Sequence, residues 1–319
     1  NSPFVWNGYN LDTLSIDISN NTIETYHGIY GQSEGLITIK GFPYRAEGMP
    51  VFKVSIKDNI LNGKSKNETR GIYYYGSSQA YSDPDKDVLL NISGNEIKNM
   101  RYQGMRIYYA KGRISNNTLR NNSQDNWGYD GYPVIYVNNT ASDLVSNVID
   151  TSNSTGISID PSFLGRLDSN TITNTNVGIR IDGSFANPCT TVIRYNNITN
   201  NNQGVRIVEY AQPTIHYNDI FGSNSQTSIY NIMPASSYAE VDARFNYWGE
   251  TTTAEMNEGG NPKNIASIYD QYDDATKGFV NYGNFLNGDV AIPPSVPQNV
   301  RAYAANVDSD LSVTLYWNG

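Results

Sequence analysis

An asparagine followed two residues later by Ile, Leu or Trp recurs nine times, at Asn21, Asn59, Asn95, Asn117, Asn147, Asn170, Asn196, Asn218 and Asn246. The cleanest copies, such as ISGNEIKN ending at Asn99 and LDSNTITN ending at Asn174, read Φ-x-x-N-x-Φ-x-N, with Φ apolar. The steps between anchors are 38, 36, 22, 30, 23, 26, 22 and 28 residues. A floor of 22 with variable excess describes stacked coils that carry loops. Most anchors are followed by a Gly-led alternating run: GIYYY at Gly71, GMRIYY at Gly104, GISID at Gly156, GIRID at Gly178 and GVRIVE at Gly204. Alternation after glycine predicts short strands with one buried face, and a 22-residue unit has no room for a helix beside two or three strands. Consecutive coils in one orientation pair in parallel. The predicted fold is all-β, a right-handed parallel β-helix of about ten coils and nothing but strand and turn.

The anchors are expected to be scaffold. A short amide tolerates the left-handed backbone of a tight turn, bonds nearby backbone groups, and can bond the copies above and below.

These residues resemble the right-handed parallel β-helix repeat proteins of the pectin-lyase-like superfamily over residues 1–288, and most specifically in ARFNYWG (243–249) and IYDQYDDATKGFVNYGNFL (268–286). The resemblance implies that about 247–288 cap the open end of the stack, with Trp248 and Phe285 as core plugs. The enzymes of that superfamily carry motifs absent here: there is no Asp-Pro-His-Glu run, no Gly-His-Gly with paired aspartates and no Arg-x-Pro-x-x-Arg. His27 and His216, the only histidines, are expected in solvent or turns. After a Pro-rich linker at 289–297, the alternation of Leu311, Val313, Leu315 and Trp317 resembles the opening strands of a fibronectin type III domain, incomplete at 298–319. That composition of modules implies a piece of a longer extracellular or cell-surface protein.

A net charge of −9 and a pI near 4.7 argue against a nucleic-acid partner. No apolar run approaches the length of a membrane span. The single cysteine, Cys189, allows no internal disulfide and is expected to be a small packed residue. No cofactor is required by these residues. A Ca2+ reading attaches to SDPDKD, where Asp83, Asp85 and Asp87 alternate as at the start of a calcium loop but without its glycine and its final acid. Asp270, Asp273 and Asp274 are expected to cap turns rather than to gather an ion.

If Ile72, Met105, Ile135, Ile157, Ile179 and Val205 point inward, the following residues form an outward column: Tyr30, Tyr73, Arg106, Tyr136, Ser158, Arg180, Arg206. Two residues further on the column reads Tyr75, Tyr108, Asn138, Asp160, Asp182, which sets Asp160 and Asp182 on adjacent coils beside Arg180. Such a face fits a polysaccharide, with rings stacking on sugars and arginine forks on carboxylate or sulfate. It equally fits a plain strand surface on which Arg180 neutralises the two aspartates. The expected function is therefore a non-catalytic extracellular surface or matrix module. It would present Tyr73, Tyr75, Arg106, Tyr108, Tyr136, Arg180 and Arg206 to a glycan or partner, or self-assemble into a surface structure. The alternative is a polysaccharide lyase or glycoside hydrolase acting on an acidic polysaccharide, with Asp160, Asp182 and Arg180 as its catalytic candidates.

Overall fold

Backbone pairing in a computed structural model turns the repeat into coils. The model describes residues 13–25, 35–40, 51–65, 69–76, 89–124, 131–222, 227–231 and 240–290, and the backbone of 298–307 and 310–318. Three-residue strands begin directly after the anchors: Thr22–Glu24, Ile60–Asn62, Glu96–Lys98, Thr118–Arg120, Val148–Asp150, Thr171–Thr173, Asn197–Thr199 and Asp219–Phe221. They form one parallel eight-stranded sheet. Its central column, Leu61, Ile97, Leu119, Ile149, Ile172, Ile198 and Ile220, is fully buried, which is why every anchor has an apolar residue two positions later. The strands that precede the anchors, and the Gly-led strands, join in a second parallel sheet because Met105–Ser115 and Ile135–Val145 run through both stacks. Together they close a right-handed β-helix, filled by aliphatic columns.

The anchors form a continuous amide ladder. Each Nδ2 donates to the Oδ1 of the next anchor at 2.9–3.0 Å, from Asn21 through to Asn246. The same Oδ1 accepts the backbone N–H of the anchor below. A second Nδ2 hydrogen reaches a backbone carbonyl of the neighbouring coil, as from Asn147 to Ile114. The sequence expectation is corrected in one respect: the left-handed residue is not the anchor but the one before it. Asn20, Asp58, Gly94, Asn116, Ser146, Ser169, Tyr195, Tyr217 and Phe245 all have φ between 53° and 67°. Backbone turning and amide bonding are thus split between neighbours, and the strain of a left-handed Tyr or Phe is carried by the ladder beside it.

The glycines of the Gly-led strands are needed for space, not for an unusual φ. A Cβ on Gly71, Gly156, Gly178 or Gly204 would stand 2.4–2.7 Å from a carbonyl oxygen of the next coil, and 2.7–2.9 Å from an isoleucine methyl of that same next coil.

Beyond Asn246 the repeat stops, and the structure departs from strand and turn alone. Gly249–Asn257 is an α-helix that lays Thr252, Thr253 and Met256 over the last coil. The 22-residue limit governs coils, and this segment is not one. Trp248, Met256, Ile265, Ile268 and Tyr282 are buried in the cap. Phe285 is only partly buried against that core, so Tyr282 takes the plugging role expected of Phe285. Asp270 accepts the backbone N–H groups of Tyr272 and Val280, Asp273 that of Asp270, and Asp274 that of Thr276. These carboxylates cap turns, as expected. Val290 donates its N–H to Asp219. Residues 291–297 of the expected linker lie outside the described residues. Gln298–Val307 and Asp310–Asn318 form an antiparallel pair.

Candidate functional site: the tyrosine–arginine face

The strand register puts the outward column together as expected. Tyr73 pairs with Arg106, Arg106 with Tyr136, Tyr136 with Ser158, Ser158 with Arg180 and Arg180 with Arg206. It extends further than the sequence suggested, to Thr38 on one side and to Tyr230 and Tyr269 on the other. Tyr230 was hidden because its strand, Thr227–Asn231, is led by serine instead of glycine. The inward partners Ile72, Met105, Ile135, Ile157, Ile179 and Val205 are fully buried. Tyr30, His27, Asp83, Asp85 and Asp87 lie outside the described residues.

The column does not project freely into solvent. Tyr73 is only 6% exposed, because Tyr75 and Tyr108 cover it with ring centroids 6.5 and 6.2 Å away. Ser158, between two larger neighbours, is buried as well. The exposed aromatic surface comes from the second column: Tyr75 lies 5.5 Å from Tyr108, and Tyr108 lies 5.7 Å from Tyr136. Arg106 sits within 6.0 Å of the rings of Tyr73, Tyr108 and Tyr136, and its Nη2 donates to the Tyr108 hydroxyl at 2.6 Å. A guanidinium among three rings is held by cation–π attraction as well as by that hydrogen bond. Lys40 caps the Tyr73 ring at one end of the face and Arg206 the Tyr230 ring at the other.

At the centre of the face is a cleft of about 320 Å³, lined by Gln103, Arg106, Tyr132, Tyr136, Thr155, Ser158, Asp160, Arg180 and Asp182. Tyr132, the last residue of the aromatic-rich insertion DNWGYDGY, forms one wall. Its ring is 4.2 Å from that of Tyr102, and the buried guanidinium of Arg70 lies 5.0 and 5.6 Å from the two. Arg70 also donates to Gln103 Oε1 at 2.6 Å, which orients that amide at the cleft. Burial, and then the charge of Arg106, lower the pKa of Arg70.

The structure brings Asp160 and Asp182 to the same cleft, but with different partners. Tyr136 donates its hydroxyl to Asp160 Oδ2 at 2.6 Å. Arg180 belongs to Asp182, with Nε 3.1 and 3.0 Å from the two carboxylate oxygens and Nη2 2.9 Å from Oδ1. The expected bridge from Arg180 to both aspartates is therefore replaced by a same-strand pair, because residues two apart on a strand share a face. Burial raises the pKa of Asp160; the Tyr136 hydrogen bond opposes this, the Asp182 charge adds to it, and Arg180 opposes it. Burial, then the Asp160 hydrogen bond and charge, push the Tyr136 hydroxyl far up, so it stays a proton donor.

A carboxyl whose folded pKa is raised adds stability that is full below its unfolded pKa and is lost as pH rises through the folded value. At neutral pH a charged Asp160 is therefore a cost. Asp160→Asn, which keeps an acceptor for Tyr136, is expected to raise Tm near pH 7 and to give no gain near pH 3, as followed by thermal melts across that range.

Other candidates fall away from this face. His216 is not in solvent: it is half-buried in the strand Thr214–His216, with Nε2 2.8 Å from Asp242 Oδ1. The Arg244 fork, and then His216, hold the Asp242 carboxyl well below its usual range. Cys189 is buried as a small packed residue, and burial pushes its thiol up to about 11. No group of three or more metal-ligating side chains occurs among the described residues. No helix among them is long and apolar enough to cross a membrane.

No curated protein matches this chain. A solved structure titled "The complex structure of XylC with xylose" aligns with 13% identity and a TM-score of 0.49, over 94% of this chain and 56% of that one. The family described as "Right handed beta helix region" matches residues 50–220. That span is more than half of the sequence and contains seven of the nine anchors, so the chain belongs to the right-handed beta helix family.

Proposed function

We propose that this chain is a non-catalytic, extracellular surface or matrix module that contacts a polysaccharide through its tyrosine–arginine face. One observation carries the reading: a single in-register column runs from Thr38 to Tyr269 across nine coils, about 38 Å at the usual strand spacing. Aromatic side chains flank the polar cleft at its middle. A ligand that repeats along its length suits a surface that repeats along its length, and amphipathic tyrosines supply both ring contact and hydroxyls. The secreted or cell-surface setting, and a fibronectin type III domain beginning at 298, accompany this reading. Assembly into a surface structure and Ca2+ at Asp83, Asp85 and Asp87 are compatible with it and not required by it.

The test is affinity electrophoresis in gels containing individual soluble polysaccharides. Tyr75→Ala with Tyr108→Ala should reduce retardation about tenfold in a protein that still melts cooperatively, since the loss of two ring contacts is worth about 1–2 kcal/mol. Unchanged retardation would remove the face from the binding site.

A second reading has an observation of its own. Asp160, with its raised carboxyl, shares a cleft with Asp182, and two acids in unlike environments can divide acid and base roles. Release of new reducing or unsaturated ends from a bound polysaccharide, lost in Asp160→Ala, would make the chain a glycoside hydrolase or lyase.

A further inference from the structure

Resting on the glycan reading of this face, we infer that its ligand is an uncharged, hydroxyl-rich pyranose polysaccharide and not a uronate or sulfate chain. The two arginines that line the cleft, which would attract an acidic polymer there, are already engaged. Arg180 commits Nε and Nη2 to Asp182, so an incoming carboxylate would have to displace one that is held by three contacts. Arg106 gives Nε and Nη2 to the Tyr108 hydroxyl and is enclosed by tyrosine rings. Among the side chains that line the cleft, two arginines face two aspartates, so the lining itself carries no net positive charge, and the chain as a whole carries −9. An anionic chain would lose its hydration for no electrostatic return.

What the cleft does offer is a set of acceptors and one free hydroxyl. Asp160 and Asp182 present carboxylate oxygens with lone pairs to spare, the natural partners of sugar hydroxyls. Thr155 lines the same cleft, is 1% exposed, and has an Oγ1 without a hydrogen-bond partner. A buried hydroxyl left unpaired costs free energy that a ligand hydroxyl would recover. Outside the cleft, apolar ring surface is open in the turn after the Asp182 strand and at the far end of the face. Phe185, three residues beyond Asp182, is 87% exposed and stands edge-on to Tyr210 with centroids 5.8 Å apart. Tyr75, at the other end, is 40% exposed. An uncharged pyranose joins these needs in one molecule: C–H faces for the rings and hydroxyl edges for the carboxylates.

The experiment is affinity electrophoresis of the wild-type chain in gels of neutral polymers (mixed-linkage β-glucan, unsubstituted xylan, galactomannan) and acidic ones (polygalacturonate, alginate, a sulfated glycosaminoglycan). The expected result is retardation by at least one neutral polymer, at least tenfold weaker retardation by every acidic one, and little change in about 1 M salt, where the Debye length is about 3 Å. Asp182→Asn and Phe185→Ala should each weaken the neutral interaction about tenfold; Phe185 is exposed enough that its removal leaves the fold intact. Salt-sensitive retardation confined to the acidic gels would overturn the inference and leave glycan binding standing. Retardation by none would remove both.

Discussion

Asn170→Ala is expected to be among the most damaging substitutions in the chain, although it removes only a small polar side chain. Asn170 Oδ1 accepts the main-chain N–H and the side-chain Nδ2 of Asn147, and its own Nδ2 donates to Asn196 Oδ1 and to the carbonyl of Leu144. The alanine leaves two buried donors of Asn147 without that acceptor in a site closed to water. At about 1–3 kcal/mol for each unsatisfied group, with a small cavity added, the loss is about 3–6 kcal/mol. In a chain of this size that corresponds to a fall in Tm of about 4–9 °C. Asn153→Ala, at an exposed position outside the ladder, should stay within about 0.5 kcal/mol. Equal melting of the two variants would show that the ladder is decorative.

Gly178→Val should be worse still. Its Cβ would stand 2.5 Å from the carbonyl oxygen of Gly204 and 2.7 Å from Ile198 Cγ2, and neither the paired backbone nor a fully buried isoleucine can yield. Separating the coils there breaks the register of Val177–Asp182 with its neighbours on both sides. A loss above about 4 kcal/mol is expected, read as an insoluble product or a collapsed melting transition. Gly288→Ala, with open space around its Cβ, should melt like the wild type. A soluble Gly178→Val protein of native stability would mean that the coils are not packed as described.

Much of this was legible in the residues themselves, for a physical reason. Each inward position must be apolar and each anchor must be an amide, so the constraint is written once per coil and the copies align. The outward columns could be registered because no insertion falls inside the Gly-led strands. Insertion between strands hid the rest. Tyr132 reaches the cleft from a loop, and no periodicity announces it. Tyr230 follows a serine-led strand and escaped a pattern built on glycine. The partners of Arg180 were misjudged because the choice between a cross-coil and a same-strand carboxylate depends on side-chain rotamers. The cap helix escaped because its segment obeys none of the repeat's spacing. The burial of Tyr73 followed from the crowding of its neighbours, which a column written as letters does not display.

The decisive measurement is hydroxyl-radical footprinting of the side chains with and without the polysaccharide that retards the protein best. Tyr75, Tyr108 and Phe185 should lose reactivity when the glycan is present, while Tyr272 on the cap, 41% exposed, and Tyr217 on another face keep theirs. Protection confined to Tyr217 or Tyr272, or no protection under saturating glycan, would contradict the assignment of this face as the binding surface.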